Sequence, residues 1–463
     1  MAGPVALIIV AIYLLGMLGV GWYTNRYLIK NSSDYLLAGR SLPALLVAVS
    51  LSANNIGGGS TVGLVSKAYG EWGLSAVWYV LAAALGIIPM AFFAPKMRKM
   101  LAYTIPEVVG RRFGATSHII TAVLHIISLF CLTASQILAS GIIVSALLGL
   151  PVNTGIIIAA VFTIIYTVMG GLWADTFTDF FQWIVIFCGL LISLPFIIKG
   201  AGGWETIMST LPPAKLSMTG MGLGTIGSLI LMYFITFMSG PEMVSRIYSA
   251  KDEKAGRTSI LLSALIMGVF AFIPALIGII AFSVFPDLEP SKALSTIVFT
   301  FTPAWISGMV CAAIIASTMS SADTDMLCAS TIIVKDLYQK YFNPEVEDRH
   351  ITTITRISNV IIGLTAMCIA LLKINIITLN IFSFMLRAAG PFAAFVFGMT
   401  WEKASKHSGL VSIILGSAAG IYWKLIGEPY GVLAIIAGTA VGTAAFLLTT
   451  WIERIITARA QRS

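Results

Sequence analysis

Apolar residues in this chain come in long runs and not in the narrow stripes of a water-exposed helix. Runs of 18 or more between charged or turn-rich joints predict thirteen helices, at about 4–25, 42–68, 72–95, 118–148, 152–170, 176–198, 219–245, 258–285, 300–333, 352–372, 375–400, 408–426 and 431–453. Runs of this length rise far enough, at about 1.5 Å per residue, to cross a bilayer core of about 30 Å. The longest joints are about 200–218 and 337–351. The expectation is one all-α integral membrane domain over 1–463, with no separate soluble domain to hold chemistry.

Composition agrees. The 463 residues are 58% apolar and 10% charged, against about 45–50% and about 25% in soluble domains. The 42 Gly and 17 Pro suit membrane helices, where neighbouring helices re-satisfy freed backbone groups, and favour a helical bundle over a β-barrel. The five cysteines lie in apolar runs without CxxC or Cys/His spacing, so they read as small core residues. The net charge of +8 is spread over the joints, which fits a lipid bilayer and not nucleic acid. The first run has neither a basic leader nor a small-residue cleavage site, so it reads as a span and not a signal peptide.

The basic residues alternate in side. They collect at Arg26, Lys30 and Arg40; at Lys96, Arg98, Lys99, Arg111 and Arg112; at Arg246, Lys251, Lys254 and Arg257; at Lys335, Lys340, Arg349 and Arg356; at Lys403 and Lys406; and at Arg454, Arg459 and Arg462. The other joints hold only Lys67, Lys199, Lys215, Lys292, Lys373 and Lys424. The positive-inside rule then places the N-terminus outside and the C-terminus in the cytoplasm of a cell-membrane protein.

Polar chemistry interrupts two runs. Ser50–Thr61 carries Asn54, Asn55 and the glycines 57–59 in mid-span, where a helix is expected to break. Unwound backbone at membrane depth needs protein or a cavity around it, and its free carbonyls are hard ligands suited to Na⁺; close packing of small residues is the alternative. The second stretch, Ala316–Asp325, sets hydroxyls and two carboxylates in an apolar run. Each carboxylate costs about 2.5–3.5 kcal/mol to insert, so it should meet a cation, a base or water. Asp179 sits near the inner end of its span, and Asp175 is expected at the interface, complementing a helix dipole. Arg387, alone in an apolar run, needs a substrate carboxylate or an internal partner among Glu242, Asp323 and Asp325. Gln136 reads as an interhelical or ligand contact, and His125 as a core histidine.

Together these stretches resemble the sodium:solute symporter family, whose members carry proline, sugars, pantothenate, choline, sialic acid, monocarboxylates and other small solutes. The likeness covers nearly the whole chain. It is carried by Asp34–Leu42, Gly170-Gly171-Leu172 with Thr178-Asp179, Arg246 after Gly240-Pro241-Glu242, and Ser320-Ser321 leading to Lys335-Asp336-Leu337-Tyr338. The resemblance implies a LeuT-like core of two inverted five-helix repeats, 42–198 and 219–400, preceded by one helix (4–25) and followed by two (408–453). It implies Na⁺ as coupling ion, held by backbone oxygens at Ala53 and Ile56 and by Ser317, Ser320 and Ser321. It further implies a second cation site at Asp179, Asp323 and Thr324. Asp323 stands there where some members have a hydroxyl, leaving Na⁺, a proton or a salt bridge to Arg387 as its occupant. The substrate position implies Asn54, Asn55, Gly58, Ser60, Gln136 and Tyr233, with Arg387 favouring a carboxylate-bearing solute if it faces the cavity. Asn55 replaces the Asp of proline carriers, which speaks against proline.

The expected function is Na⁺-coupled uptake of a small polar solute by alternating access. The alternatives are a proton-coupled carrier using Asp179, Asp323 and Glu242, and a membrane sensor. There is no HExxH, GxSxG or P-loop, so neither an enzyme nor a self-contained ATP-driven pump is expected.

Overall fold

The computed structural model describes residues 4–460, and the regular structure among them is helical. Eight helices are long and apolar enough to cross a membrane alone, and three further pairs do so together across bends of 49°, 54° and 43°. One of the eight, Val152–Gly200, has 49 residues, a rise of about 74 Å at 1.5 Å per residue and more than two crossings' worth. It divides at Gly171, whose φ of 54° and ψ of −164° belong to a region essentially confined to glycine. Another crossing is made of Ala44–Asn55 and Leu64–Tyr69, joined through the irregular link Ile56–Gly58 and the short turn Gly59–Gly63. With these two divisions the thirteen spans expected from the apolar runs are all present.

The bends have a common cause. Pro241 opens Pro241–Ser249 after Leu223–Met238, Pro391 opens Pro391–Thr400 after Ile376–Ala388, and Pro89 precedes Met90–Lys99 after Trp78–Ile87. Proline lacks the N–H needed to continue the ladder, yet its fixed φ suits the first turn of a new helix. Only the Asn-Gly break was expected from sequence; these are additional. The polar stretch Ala316–Asp325 lies within the unbroken helix Ala304–Thr331.

That helix is the axis of the bundle. Every residue from Val310 to Ile332 is buried, packed on Val152–Gly200 and Ala115–Leu148. Peripheral helices such as Pro4–Tyr27 turn Ile8, Ile12 and Leu15 outward, as lipid contact requires. A backbone clasp ties the start of the broken span to the end of Pro241–Ser249: Leu42 N–H donates to Ser249 O at 3.1 Å and Lys251 N–H to Leu42 O at 2.9 Å.

Gly171 gives a direct test of this architecture. A Cβ there would lie 2.5 Å from the Tyr35 carbonyl oxygen, whereas one at Gly16 meets nothing within 4 Å. Gly171→Ala is expected to lower the melting temperature in detergent, with about 1–3 kcal/mol lost to backbone conformation alone. Gly16→Ala should melt as the native protein does, and equal melting of the two variants would refute the assigned turn.

Candidate functional site

Helical hydrogen bonding stops in the bundle centre at Asn55. Ile56 still donates to Ser52 O at 2.9 Å, but the next ladder begins only with the bonds that Ser60 and Thr61 make to Gly57 O. Four carbonyls are thereby released. Those of Asn54 and Asn55 are taken by hydroxyls, Ser321 Oγ donating at 2.9 Å and Ser60 Oγ at 2.7 Å. Those of Ala53 and Ile56 accept no hydrogen bond from any described residue. The glycines let this happen at close quarters: a Cβ on Gly57 would lie 2.8 Å from Ser321 Oγ and 3.1 Å from the Gln136 amide. Gly58 N–H donates to Gln136 Oε1 at 3.2 Å.

Ser317, Ser320 and Ser321 stand three and four residues apart on the axial helix and so share one face. Ser317 Oγ donates to Ile314 O at 2.9 Å and lies 3.5 Å from Thr61 Oγ1. Ser320 Oγ donates to Asp179 Oδ1 at 2.5 Å. Each hydroxyl proton is thus committed elsewhere, which leaves oxygen lone pairs for a hard cation. The two unpartnered carbonyls of the break and the three hydroxyls of the axial helix, which meets the break at Ser321–Asn54 and Ser317–Thr61, are hard oxygen donors of the kind that fits Na⁺.

Behind Ser320 lies a buried charge cluster. Arg246, expected at a cytoplasmic joint, is fully buried; Pro241–Ser249 carries it into the bundle, because the bend at Gly240-Pro241 redirects that half-helix. It donates to Asp175 Oδ2 at 2.6 Å, Asp179 Oδ2 at 3.2 Å, Ser50 Oγ at 2.7 Å and Thr324 Oγ1 at 2.5 Å. Ser50 Oγ also donates to Asp179 Oδ2. Asp175 is buried here and not at the interface as expected, since the turn at Gly171 precedes it closely. Of the second-cation trio, Asp179 and Thr324 meet at this guanidinium. Asp323 shares a cavity of about 10 Å³ with Asp175, and its Oδ2 is buried without a partner among the described residues.

On the other side of the break lies a cavity of about 60 Å³. Asn54, Asn55, Ser60, Gln136, Tyr233 and Arg387 line it, as do Ser321 and Gly57. Gly58 is held behind it by Gln136. Arg387 Nη1 donates to both oxygens of Glu242 at 2.6 Å each, so of the expected partners Glu242 is the one it bonds. His125 is buried with Nε2 3.2 Å from the Arg387 carbonyl. Tyr79, Phe237, Asn380, Phe384 and Asp325 also line the cavity and were not assigned to it from sequence. Asn380 had a readable signal, being an amide well inside an apolar run; the aromatic residues had none, because a bundle core is equally rich in them.

A family model described as the sodium:solute symporter family matches residues 35–416. The sodium/glucose cotransporter of Vibrio parahaemolyticus is 25% identical over 90% of this chain and 84% of its own. A sodium/proline symporter of Staphylococcus aureus is 27% identical over 90% of this chain and 85% of its own. Among solved structures, a substrate-bound, outward-open Na⁺-coupled sialic acid symporter aligns with a TM-score of 0.83 at 19% identity, over 97% of this chain and 98% of that one. A nucleobase-cation-symport-1 family transporter in a closed conformation aligns at 0.63 and 14% identity, over 92% and 96%. These two neighbours bear on the fold, which is LeuT-like.

Removing Arg246 tests the charge cluster. Arg246→Met leaves two buried carboxylates without their cation, an arrangement that typically costs about 3–5 kcal/mol. The expected result is a steep fall in melting temperature and folded yield, partly restored by adding Asp175→Asn. A single variant that melts like the native protein would dismiss the cluster as a structural element.

Proposed function

Because the chain belongs to the sodium:solute symporter family, whose coupling ion is Na⁺, we propose that it takes up a small polar organic solute across the cell membrane by alternating access. The repeats 42–198 and 219–400 move against one another around the broken span, with the N-terminus outside and the C-terminus in the cytoplasm. The observation that carries this reading is the broken span that leaves the Ala53 and Ile56 carbonyls unpartnered, touches the hydroxyl-bearing axial helix through Ser321 and Ser317, and walls a polar cavity.

Sodium bound by these oxygens neutralises the freed carbonyls and steadies the link that also walls the cavity, so ion and solute each favour the state in which the other binds. Such coupling works only through differential affinity for the two states. Asp179 adds a carboxylate behind Ser320, giving the site negative charge without a direct ligand. One Na⁺ entering down 100 mV contributes about 2.3 kcal/mol, which alone concentrates a neutral solute about fifty-fold at 1.4 kcal/mol per tenfold. At Asp179, Asp323 and Thr324 a second cation or proton competes with Arg246, which already holds two of the three. Asn54, Asn55, Ser60, Gln136, Tyr233 and Arg387 contact the solute, whereas Gly58, expected there too, lies behind the cavity and acts through the hydrogen bond from its N–H to Gln136. Solutes the size of the glucose and proline named for the relatives are the natural first candidates.

Uptake into proteoliposomes should require an inward Na⁺ gradient and be lost when K⁺ replaces Na⁺. Ser320→Ala and Ser321→Ala should each raise the Na⁺ half-saturation about tenfold, as expected for losing one cation ligand worth roughly 1.4 kcal/mol. Uptake driven by a pH gradient in the absence of Na⁺ would overturn this reading in favour of proton coupling.

A further inference from the structure

The charges around the central cavity do not balance. Glu242 and Arg387 close on each other, with both carboxylate oxygens taken by one guanidinium nitrogen. Asp325 lines the same cavity, four residues and hence about one turn beyond Ser321 on the axial helix. The residue is 3% exposed, yet no described residue donates a hydrogen bond to its carboxylate or pairs with it as an ion. Arg246 is occupied with Asp175 and Asp179. One buried carboxylate therefore faces the cavity without an ion pair of its own, the nearby Arg387 being closed on Glu242.

A second acceptor points the same way. Asn54 Oδ1 is buried in this wall without a hydrogen-bond partner among the described residues. Tyr79, Tyr233 and Phe237, which line the same cavity, form a connected aromatic wall, with ring centroids 5.9 Å and 5.4 Å apart. Aromatic faces attract cations through their quadrupoles, and a desolvated carboxylate is costly until a cation or proton joins it.

Resting on the symporter reading, we infer that the transported solute carries a positively charged nitrogen, as an amine, quaternary ammonium or zwitterion, and that Asp325 receives it, with Asn54 and the aromatic wall of Tyr79, Tyr233 and Phe237 around it. Arg387 is then not a free receptor for a solute carboxylate, because Glu242 satisfies its charge. Any carboxylate on a zwitterion meets amide donors instead: Asn380 accepts from Ser135 Oγ through its Oδ1 at 2.6 Å, which leaves its amide N–H groups available. The coupling Na⁺ does not need Asp325, since Asp179 already supplies negative charge through Ser320.

Thermal stability of the purified full chain tests this with matched probes: ethanolammonium against ethylene glycol, choline against 3,3-dimethylbutanol, and β-alanine and proline betaine against glucose and lactate, each in Na⁺ and in K⁺. The expected result is stabilisation by an ammonium-bearing probe and not by its uncharged counterpart. In Asp325→Asn the affinity for that probe should fall about tenfold or more, as for a lost charge-assisted contact, with the Na⁺ half-saturation measured without solute unchanged. Stabilisation only by neutral or anionic probes, by no ammonium probe, or equally in Asp325→Asn overturns the inference. So does a shift of the Na⁺ half-saturation in that variant, which would make Asp325 part of the ion site. If the variant does not fold, the matched pairs on the native protein decide alone. An ammonium probe that binds equally in K⁺ would refute Na⁺ coupling while leaving cation recognition standing, and a neutral solute that binds only in Na⁺ would do the reverse.

Discussion

A backbone carbonyl released inside a membrane bundle must find a partner, because no water is there to supply one. The centre of this protein is organised around that constraint. Four carbonyls are freed near Asn55; two are met by serine hydroxyls from Ser60 and Ser321, and two stay open at Ala53 and Ile56. Three glycines follow the asparagines, because any side chain at Gly57 would strike Ser321 and Gln136. The break is thus held open by close contact with the axial helix, and the same contact puts hydroxyls beside the free carbonyls.

Charge is arranged around this break from both sides. The half-helix Pro241–Ser249 carries Glu242 and Arg246 one turn apart. Glu242 binds Arg387 at the cavity wall, while Arg246 binds Asp175, Asp179, Ser50 and Thr324 behind the hydroxyls. One short element therefore joins the central cavity to the environment of Ser320, and Ser50 links it to the broken span. A displacement of that half-helix alters the surroundings of Ser320 and of the central cavity together.

Much of this was readable in one dimension. Thirteen apolar runs, the break at Asn54–Gly59, and the special character of Ala316–Asp325 follow from composition and local pattern, because the bilayer demands an apolar stretch per crossing and penalises every polar group within one. The prolines that bend three other spans were visible too, but proline marks a bend only once the segment on either side is known to continue the same crossing.

What the chain's order could not reveal is which polar groups meet. Arg246 sits in a stretch of charged joint residues, and only the redirection at Gly240-Pro241 turns it inward to Asp175 and Asp179. Arg387 had three acidic candidates, and packing selected Glu242, leaving Asp325 unmatched in the cavity. Tyr79 and Phe237 looked like any core aromatic until helices far apart in sequence brought them to one wall. The sequence by itself determined the number of crossings, the place of the break and the residue types available to bind a cation, since those depend on each segment's own fit to the membrane. The pairing of charges and the identity of the carboxylate left unpaired at the cavity were decided only by tertiary structure, because a charge pair is a relation between two segments and its energy depends on a distance that neither segment encodes alone.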